Sequence, residues 1–261
     1  MINRACQDGE GMLIEERHKR ILEALQDDPG VTVKELAERL CFSEPTIRRD
    51  FTELHKKGLI TKFYGGAVLN RRAADGEIPF AMRENEKSVG KALIGKRASA
   101  LLHDGAVVML DGSTSAYHLV PYLADFKDII VITSGAKTAV ALAERDVTTF
   151  STGGKMIVHS FSYVGQEAED FVRKINADVL FFSCHGLSMD GMMSDPSVRE
   201  SNLRRVMMAQ CKKKYLLCDG SKFGKTFFYN MGDVGEVDGI ISDVDVPESI
   251  LAKVGKGNEG K

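Results

Sequence analysis

No stretch of the 261-residue chain approaches the roughly 18 consecutive apolar residues that a membrane span requires. The first residues, Met1–Gly11, hold no apolar segment of the kind a secretory signal carries. The expected compartment is therefore the cytoplasm, with no membrane partner. The five cysteines (Cys6, Cys41, Cys184, Cys211, Cys218) are odd in number and lack any Cys-x-x-Cys spacing. That argues against a disulfide framework and against a structural zinc site, and no metal or other cofactor is expected. Cys211 and Cys218 sit among apolar neighbours, the usual setting of a buried free thiol. Repeats and low-complexity tracts are missing too, apart from a Gly/Lys-rich tail after Val254. A charge excess is also absent: 35 Lys and Arg against 37 Asp and Glu leave −2. A neutral total neither favours nor excludes nucleic acid, because a local basic patch can hide inside it.

What is present divides into two styles of patterning. Residues 1–11 show no periodicity and read as a disordered extension, with Met12 a candidate start. From Glu15 to Leu25, Ile21, Leu22 and Leu25 repeat at helical spacing, with His18 on the same side. Asp27, Asp28, Pro29 and Gly30 break that helix. Thr32 with Glu35 three residues on is a capping-box pattern, and Val33, Leu36, Ala37 and Leu40 follow on one face. Ser43 is a second N-cap, with Glu44 and Pro45 in the first turn of a third helix. Ile47, Phe51 and Leu54 form its apolar stripe, and Gly58 ends it. Ile60–Tyr64 and Ala67–Leu69 then flank a Gly65-Gly66 turn. Helix, helix, turn, helix and hairpin in that order predict a winged helix-turn-helix over residues 12–70.

With Ile47, Phe51 and Leu54 inward, the third helix turns Thr46, Arg48 and Arg49 outward near its N-terminus, beside the Ser43 cap. Arginine's planar fork pairs with guanine edges or clamps phosphate, the contacts a recognition helix makes in a major groove. Lys57 and Lys62, at the helix end and on the wing, suit backbone phosphates, as does Lys56. The competing reading is a solvated cationic face, with Arg48 or Arg49 paired to Asp50 or Glu53. The candidate DNA-binding set is Ser43, Thr46, Arg48, Arg49, Lys57 and Lys62.

The string Glu16-Arg17, Val33-Lys34-Glu35-Leu36-Ala37, Ser43 through Leu54, Gly58-Leu59-Ile60 and Gly65-Gly66-Ala67 resembles the DNA-binding domain of the DeoR family of bacterial regulators. Lys62 and Tyr64 depart from that family's usual wing-tip Arg and His.

Residues 71–88 read as a linker running into a helix that ends near Leu102, and residues 89–254 as a second domain, with 255–261 a flexible tail. Short apolar runs at Ala106–Leu110, Ile129–Thr133, Thr148–Ser151, Val179–Cys184, Tyr215–Asp219 and Gly239–Ser242 alternate with helical segments. Those segments are Ser115–Leu123, Lys137–Arg145, Ala168–Ile175 and Pro196–Lys212. Such alternation predicts an α/β fold with a mostly parallel sheet. In such sheets ligands gather at the carboxyl ends of strands. Four polar loops fall there: Asp111-Gly112-Ser113-Thr114-Ser115, Thr133-Ser134-Gly135, Gly153-Gly154-Lys155 and Asp219-Gly220-Ser221-Lys222. Each alone is an ordinary turn or cap; together they suggest a site for an anionic, hydroxylated molecule such as a sugar phosphate. The candidate effector-binding set is Asp111, Gly112, Ser113, Thr114, Thr133, Ser134, Gly153, Gly154, His185 and Lys222. No second His or carboxylate stands beside His185 at ligand spacing, which favours a hydrogen-bonded or ligand-contacting histidine over a metal ligand.

Gly90–Ala100, Asp111–Thr114, Ile132-Thr133, Gly153-Gly154, Gly165, Gly186, Asp190-Gly191, Glu200 and Asp219–Gly224 are similar to the DeoR-family C-terminal sensor domain. The resemblance implies a fold like ribose-5-phosphate isomerase and coenzyme A transferases. Ser134 stands where many relatives carry Asn, and His185 where a small residue is more usual. The expectation is a non-enzymatic transcription regulator, a repressor of a carbohydrate-metabolism operon that binds double-stranded operator DNA as a homodimer or homotetramer and is relieved by a phosphorylated sugar. The alternative is an isomerase-like enzyme carrying a DNA-binding domain. Against it, His185–Asp190 holds one carboxylate where such enzymes typically carry an acidic cluster. A third reading makes the C-terminal domain an oligomerisation module without a ligand.

Overall fold

A computed structural model describes residues 13–27, 31–57, 59–63, 66–69 and 80–256. The chain separates into two compact units, with the division between residues 79 and 80. The expected extension, the first half of the linker and the end of the tail lie outside the described residues, as do Gly58 and Gly65.

In the first unit, α1 (Ile14–Asp27), α2 (Val33–Leu40) and α3 (Glu44–Lys56) precede a hairpin of β1 (Ile60–Phe63) and β2 (Gly66–Leu69). The Thr32 side chain accepts from Glu35 N and the Glu35 carboxylate answers to Thr32 N, so the capping box forms as patterned. Cys41 then reverses the chain in a left-handed conformation (φ 55°, ψ 42°) that ends α2. Ile21 and Leu25 of α1, Val33, Leu36 and Ala37 of α2, and Ile47, Phe51 and Leu54 of α3 close one small core. The hairpin pairs Phe63 with Gly66, so Gly66 begins the second strand and is not a turn residue. A diglycine suggests a turn by composition, whereas register is set by the pairing of the flanking strands.

The second unit opens with two helices, α4 (Phe80–Asn85) and α5 (Ser88–Ser99). Phe80, from the stretch read as linker, is buried edge-on against Tyr117 and Phe161 of this unit. A six-stranded, wholly parallel sheet follows. Its strands are β3 (Val107–Leu110), β4 (Ile130–Thr133), β5 (Thr148–Ser151), β8 (Ala177–Phe182), β11 (Cys211–Leu217) and β13 (Gly239–Ile241). Their order across the sheet is β13-β11-β8-β3-β4-β5. All six correspond to the apolar runs in the sequence. The largest shift concerns β11, which begins at Cys211 inside the segment read as helix to Lys212. The three successive lysines, Lys212–Lys214, masked a strand in which Lys212 and Lys213 face water.

Alternate side chains of the central strands enter two separate cores, which is why these strands are apolar throughout. Val108, Leu110, Val131, Val179, Phe181 and Leu217 pack with Ile94 and Ala98 of α5, and with α6 (Thr114–Tyr117), α7 (Val120–Leu123) and α8 (Ala136–Ala143). Met109, Ile132, Leu180, Phe182 and Leu216 pack against α9 (Gln166–Val172), α10 (Val198–Ala209) and Ile250 of α11 (Glu248–Leu251). Two small antiparallel additions escaped the sequence reading. One is a hairpin of β6 (Lys155–Ile157) with β7 (Ser162–Val164). The other is a sheet of β9 (Gly186–Leu187), β10 (Met192–Asp195) and β12 (Tyr229–Asp233). Strands this short carry too few residues for a period to declare itself.

Among the free cysteines, Cys184, Cys211 and Cys218 are buried, as their apolar setting suggested. Cys41, by contrast, is disulfide-bonded, a single bond where the sequence argued against a disulfide framework. Three free thiols among five cysteines leave room for one bond. Phe181 is wholly buried and stacks on Tyr215 with ring centroids 5.7 Å apart. Phe181→Ala is expected to cost the second unit about 3–5 kcal/mol in urea unfolding. A change below about 1 kcal/mol would mean that the sheet face repacks around the cavity.

Candidate functional site

On α3 the inward face does more than pack. Asp50, 3% exposed, lies between Ile47 and Leu54 on the buried stripe. Arg17 of α1 grips it with two bonds, Nε to Oδ2 at 2.6 Å and Nη2 to Oδ1 at 2.9 Å. His18 Nε2 lies 3.2 Å from Oδ1, and Arg17 also covers the Phe42 ring at 5.0 Å. Asp50 was one candidate partner for the α3 arginines; its place on the buried side gives it to α1 instead. Arg48 pairs with Glu44 at 3.2 Å on the exposed surface, where such a pair contributes little and opens readily. Arg49 is exposed and makes no ion pair among the described residues. Ser43 caps α3 by accepting from Thr46 N, and its hydroxyl lies 2.8 Å from that of Thr46. Lys57 is exposed at the C-terminal cap, and Lys62 Nζ donates to Thr52 Oγ1 at 3.3 Å. The outward face is thus cationic, carried on a helix locked from behind.

In the second unit the strand ends converge around one buried guanidinium. Arg204 of α10 is 4% exposed. It donates Nε to Asp111 Oδ2 at 2.8 Å and Nη1 to Asp195 Oδ2 at 2.7 Å. Asp111, at the end of β3, also accepts from Ser113 N and from Ser183 N, each at 3.1 Å. Its carboxylate is fully engaged in holding loops, and its negative charge would oppose an anion. Asp195 accepts from Ser197 N at 3.0 Å and lies 2.9 Å from His185 Nδ1. Glu200, one turn before Arg204 and 6% exposed, accepts from the Ser162 hydroxyl. Ser183 in turn receives Lys222 Nζ at 2.5 Å. Asp219 caps the Gly220–Lys222 turn and sits 3.7 Å from Lys222 Nζ.

The Asp111–Thr114 loop meets the Thr133–Gly135 loop directly. A Cβ at Gly112 would lie 2.6 Å from Ser162 Cβ and 3.6 Å from Ser134 Oγ, so only glycine fits there. Ser113 caps α6, and Thr133 Oγ1 accepts from Gly135 N at 3.0 Å. Asp111, Gly112, Ser113, Thr114, Thr133, Ser134, His185 and Lys222 therefore belong to one connected group. Gly153 and Gly154 stand one step outside it, tied in through Thr152 N to Thr133 O at 3.0 Å. Both have left-handed φ (64° and 95°), and Gly154 packs against Val164 O. Backbone geometry alone accounts for these two glycines.

Charge in this group is strongly biased. Burial would raise Asp195 and Glu200, but the Arg204 charge, joined by His185 and the Ser197 N–H at Asp195 and by the Ser162 hydroxyl at Glu200, holds both below their ordinary carboxylate range. Burial would lower Arg204, yet Asp195, Asp111 and Glu200 raise it further. Asp219 is likewise held down: burial would raise it, but Lys222 together with the bonds from Ser221 more than offsets that. Linear spacing put no carboxylate beside His185, and the structure corrects this by setting Asp195 there, while Asp111, Asp195 and Glu200 gather around Arg204. The acids arrive from β3, β10 and α10, so linear spacing could not reveal them, and each is engaged by Arg204, His185 or a hydroxyl. Arg204, Asp195, Ser162 and Ser183 were missed altogether. The one available signal was Arg204 at i+4 from Glu200 on a helix whose Leu203 and Met207 are buried.

Depressed carboxylates stabilise the fold above their unfolded pKa values, about 3.9 for Asp and 4.3 for Glu. That stabilisation is lost as pH falls through the lower folded values. The urea midpoint of the second unit should therefore hold from pH 7 to about 5 and fall steadily below about pH 4. A midpoint flat down to pH 3 would contradict the network.

Comparison with known proteins agrees with this division. The model of the DeoR-like helix-turn-helix domain matches residues 17–73, and that of the DeoR C terminal sensor domain matches residues 86–244. The HTH-type transcriptional regulator GlpR of Haloferax volcanii is 32% identical, over 89% of this chain and 91% of that protein. The L-fucose operon activator of Haemophilus influenzae is 29% identical over 90% and 94%. The glycerol-3-phosphate regulon repressor of Escherichia coli is 25% identical over 90% and 93%. A chain that matches both domain models in order, along nearly its whole length, belongs to the DeoR family of DNA-binding transcription regulators.

Proposed function

We propose that this regulator represses a carbohydrate-metabolism operon and releases its operator when a phosphorylated sugar binds at the strand-end loops of the second unit. The observation that carries the reading is the connected group in which Gly112, Ser113, Thr114, Ser134 and His185 share a framework with the ammonium of Lys222. Hydroxyls and backbone amides suit sugar oxygens, and a largely buried cation suits a phosphate. The names of two relatives, one an L-fucose operon activator and one a glycerol-3-phosphate regulon repressor, support a carbohydrate-linked operon and a phosphorylated effector. Gly153 and Gly154 border the site, and Asp111 holds its floor. The full-length relatives are regulators, so the isomerase-like reading is set aside.

Operator recognition is assigned to the outward face of α3. Arg49 reaches base edges, with Arg48 joining once its exposed pair to Glu44 opens and Thr46 lying beside the Ser43 cap. Lys57 and Lys62 contact phosphates. A homodimer or homotetramer in the cytoplasm would set two such helices on half-sites spaced by whole turns of duplex. No helix among the described residues is long and apolar enough to cross a membrane. An effector coupling of about 1–3 kcal/mol would change operator affinity roughly 5- to 150-fold.

Fluorescence anisotropy with duplex from the protein's own upstream region tests the reading. Arg49→Ala should weaken specific binding by about 1–3 kcal/mol while leaving thermal stability and effector response unchanged. A thermal-shift screen of sugar phosphates should find one that stabilises the protein and loosens the duplex. Wild-type affinity for the upstream duplex no greater than for random duplex at matched salt would overturn the assignment.

A further inference from the structure

Two of the three free thiols among the described residues face each other. Cys184 and Cys218 follow β8 and β11, neighbours in the parallel sheet, whose ladder pairs Phe182 with Leu216. Two residues on, the same register sets Cys184 opposite Cys218, and both side chains enter the core that holds Phe182 and Leu216. The strands have not separated at this level. Ser183 Oγ donates to Leu217 O at 2.6 Å, and Cys218 N donates to Ile241 O at 3.0 Å. Opposed residues on paired strands lie about 4.8 Å apart, inside the roughly 4.4–6.8 Å that a disulfide spans between Cα atoms. The third free thiol is placed differently: Cys211 opposes Ala177, and its sulfur lies 3.5 Å from the Met109 thioether.

The pair is also unequal. The hydrogen bond from the Cys218 thiol, with the Lys222 and Arg204 charges, holds Cys184 below the ordinary thiol value against burial and the Asp195 charge. That same bond, then burial, push Cys218 well above it. Burial pushes Cys211 up to about 12. Cys184 is therefore the sulfur most readily deprotonated, and a thiolate is the form that attacks an oxidant. We propose that Cys184 and Cys218 form a reversible, peroxide-sensitive dithiol whose disulfide fastens the ends of β8 and β11 together beneath the strand-end loops. The Cys184 thiolate attacks one oxygen of hydrogen peroxide; the O–O bond breaks, an S–O bond forms, and the hydroxide that leaves is protonated to water. The Cys218 sulfur then attacks the sulfenic sulfur of Cys184. An S–S bond forms, the S–O bond breaks, and the second hydroxide leaves as water with the Cys218 proton. Two electrons pass from the sulfurs to the peroxide. Both cysteines are buried, yet they lie beyond the last ladder pair of β8 and β11, where strand ends open locally and admit a molecule as small as peroxide. Ser183 and His185 flank Cys184, and Asp219 follows Cys218. The bond therefore stiffens residues next to the effector loops, and this consequence for sensing rests on the reading of those loops as the effector site.

Peptide mass mapping tests the pair in the full-length protein, treated with hydrogen peroxide at neutral pH and then alkylated with iodoacetamide in denaturant. A linked Cys184–Cys218 peptide, lighter by two hydrogens, should appear while Cys211 is still alkylated, and dithiothreitol should restore both thiols. Cys218→Ser should stop at a Cys184 sulfenic acid that dimedone captures, whereas Cys184→Ser should leave Cys218 a thiol. In the oxidised wild type, amide hydrogen exchange over residues 183–187 and 219–222 should slow. Equal alkylation of Cys184, Cys211 and Cys218 after peroxide, or a Cys218→Ser variant inert to dimedone, would overturn the dithiol. A disulfide that leaves exchange at those residues unchanged would overturn the fastening of the strand ends. No effector takes part in these measurements, so their failure leaves the reading of the loops as its site untouched.

Discussion

One buried guanidinium governs the second unit. Arg204 is surrounded by Asp111, Asp195 and Glu200, three carboxylates from three separate elements, and none of the three is exposed to water. Alone, each acid under the strand ends would be expelled or protonated. Around Arg204, Asp195 and Glu200 are held below their ordinary carboxylate range, and the oxygens of all three acids accept backbone and hydroxyl donors from Ser113, Ser183, Ser197 and Ser162. Loops that would otherwise be independent are thereby fastened to a common point. The network contributes little net stability over a well-packed apolar core; its effect is on shape, since breaking one member leaves uncompensated charge in the interior. The first unit uses the same device on a smaller scale, with Asp50 of α3 held by Arg17 and His18 of α1. There the pair turns a short helix into a rigid bearer of outward arginines.

The two anchors explain which parts of the molecule the sequence made legible. Periodicity works on local repeats, and the local repeats were strong: Ile47, Phe51 and Leu54 on α3, and apolar runs at all six strands of the parallel sheet. Capping chemistry was equally local, so Thr32 with Glu35 and Ser43 before Glu44-Pro45 were readable as helix starts. The glycine loops were visible because their composition is unusual and their place after strands is regular. Arg204 to Asp111 spans 93 residues and Arg17 to Asp50 spans 33, and no pattern of spacing encodes such contacts. Asp195 reaches His185 only because β9 and β10 fold back on each other, a turn too short to register as a period.

Function divides along the same line as structure. Reading DNA needs charge displayed to solvent, and α3 offers Arg48 and Arg49 in a form that costs little to redirect. Sensing a small anion needs charge held away from solvent, where water competes less and each bond counts for more. Lys222, half-buried against the Ser183 hydroxyl and 3.7 Å from Asp219, is a cation of that kind. A regulator needs a ligand-dependent energy difference and no turnover, and carboxylates already committed to Arg204 are poorly placed to act as bases.

The central claim is that Arg204 and Asp111 act as one unit in shaping the strand-end loops. A double-mutant cycle with Arg204→Met and Asp111→Asn, read by urea unfolding at pH 7, measures that coupling directly. Each single substitution should destabilise strongly, and the pair together should cost less than their sum by at least about 1.5 kcal/mol. Additive losses, with a coupling indistinguishable from zero, would show that the two residues act independently and that the loops are shaped by something else.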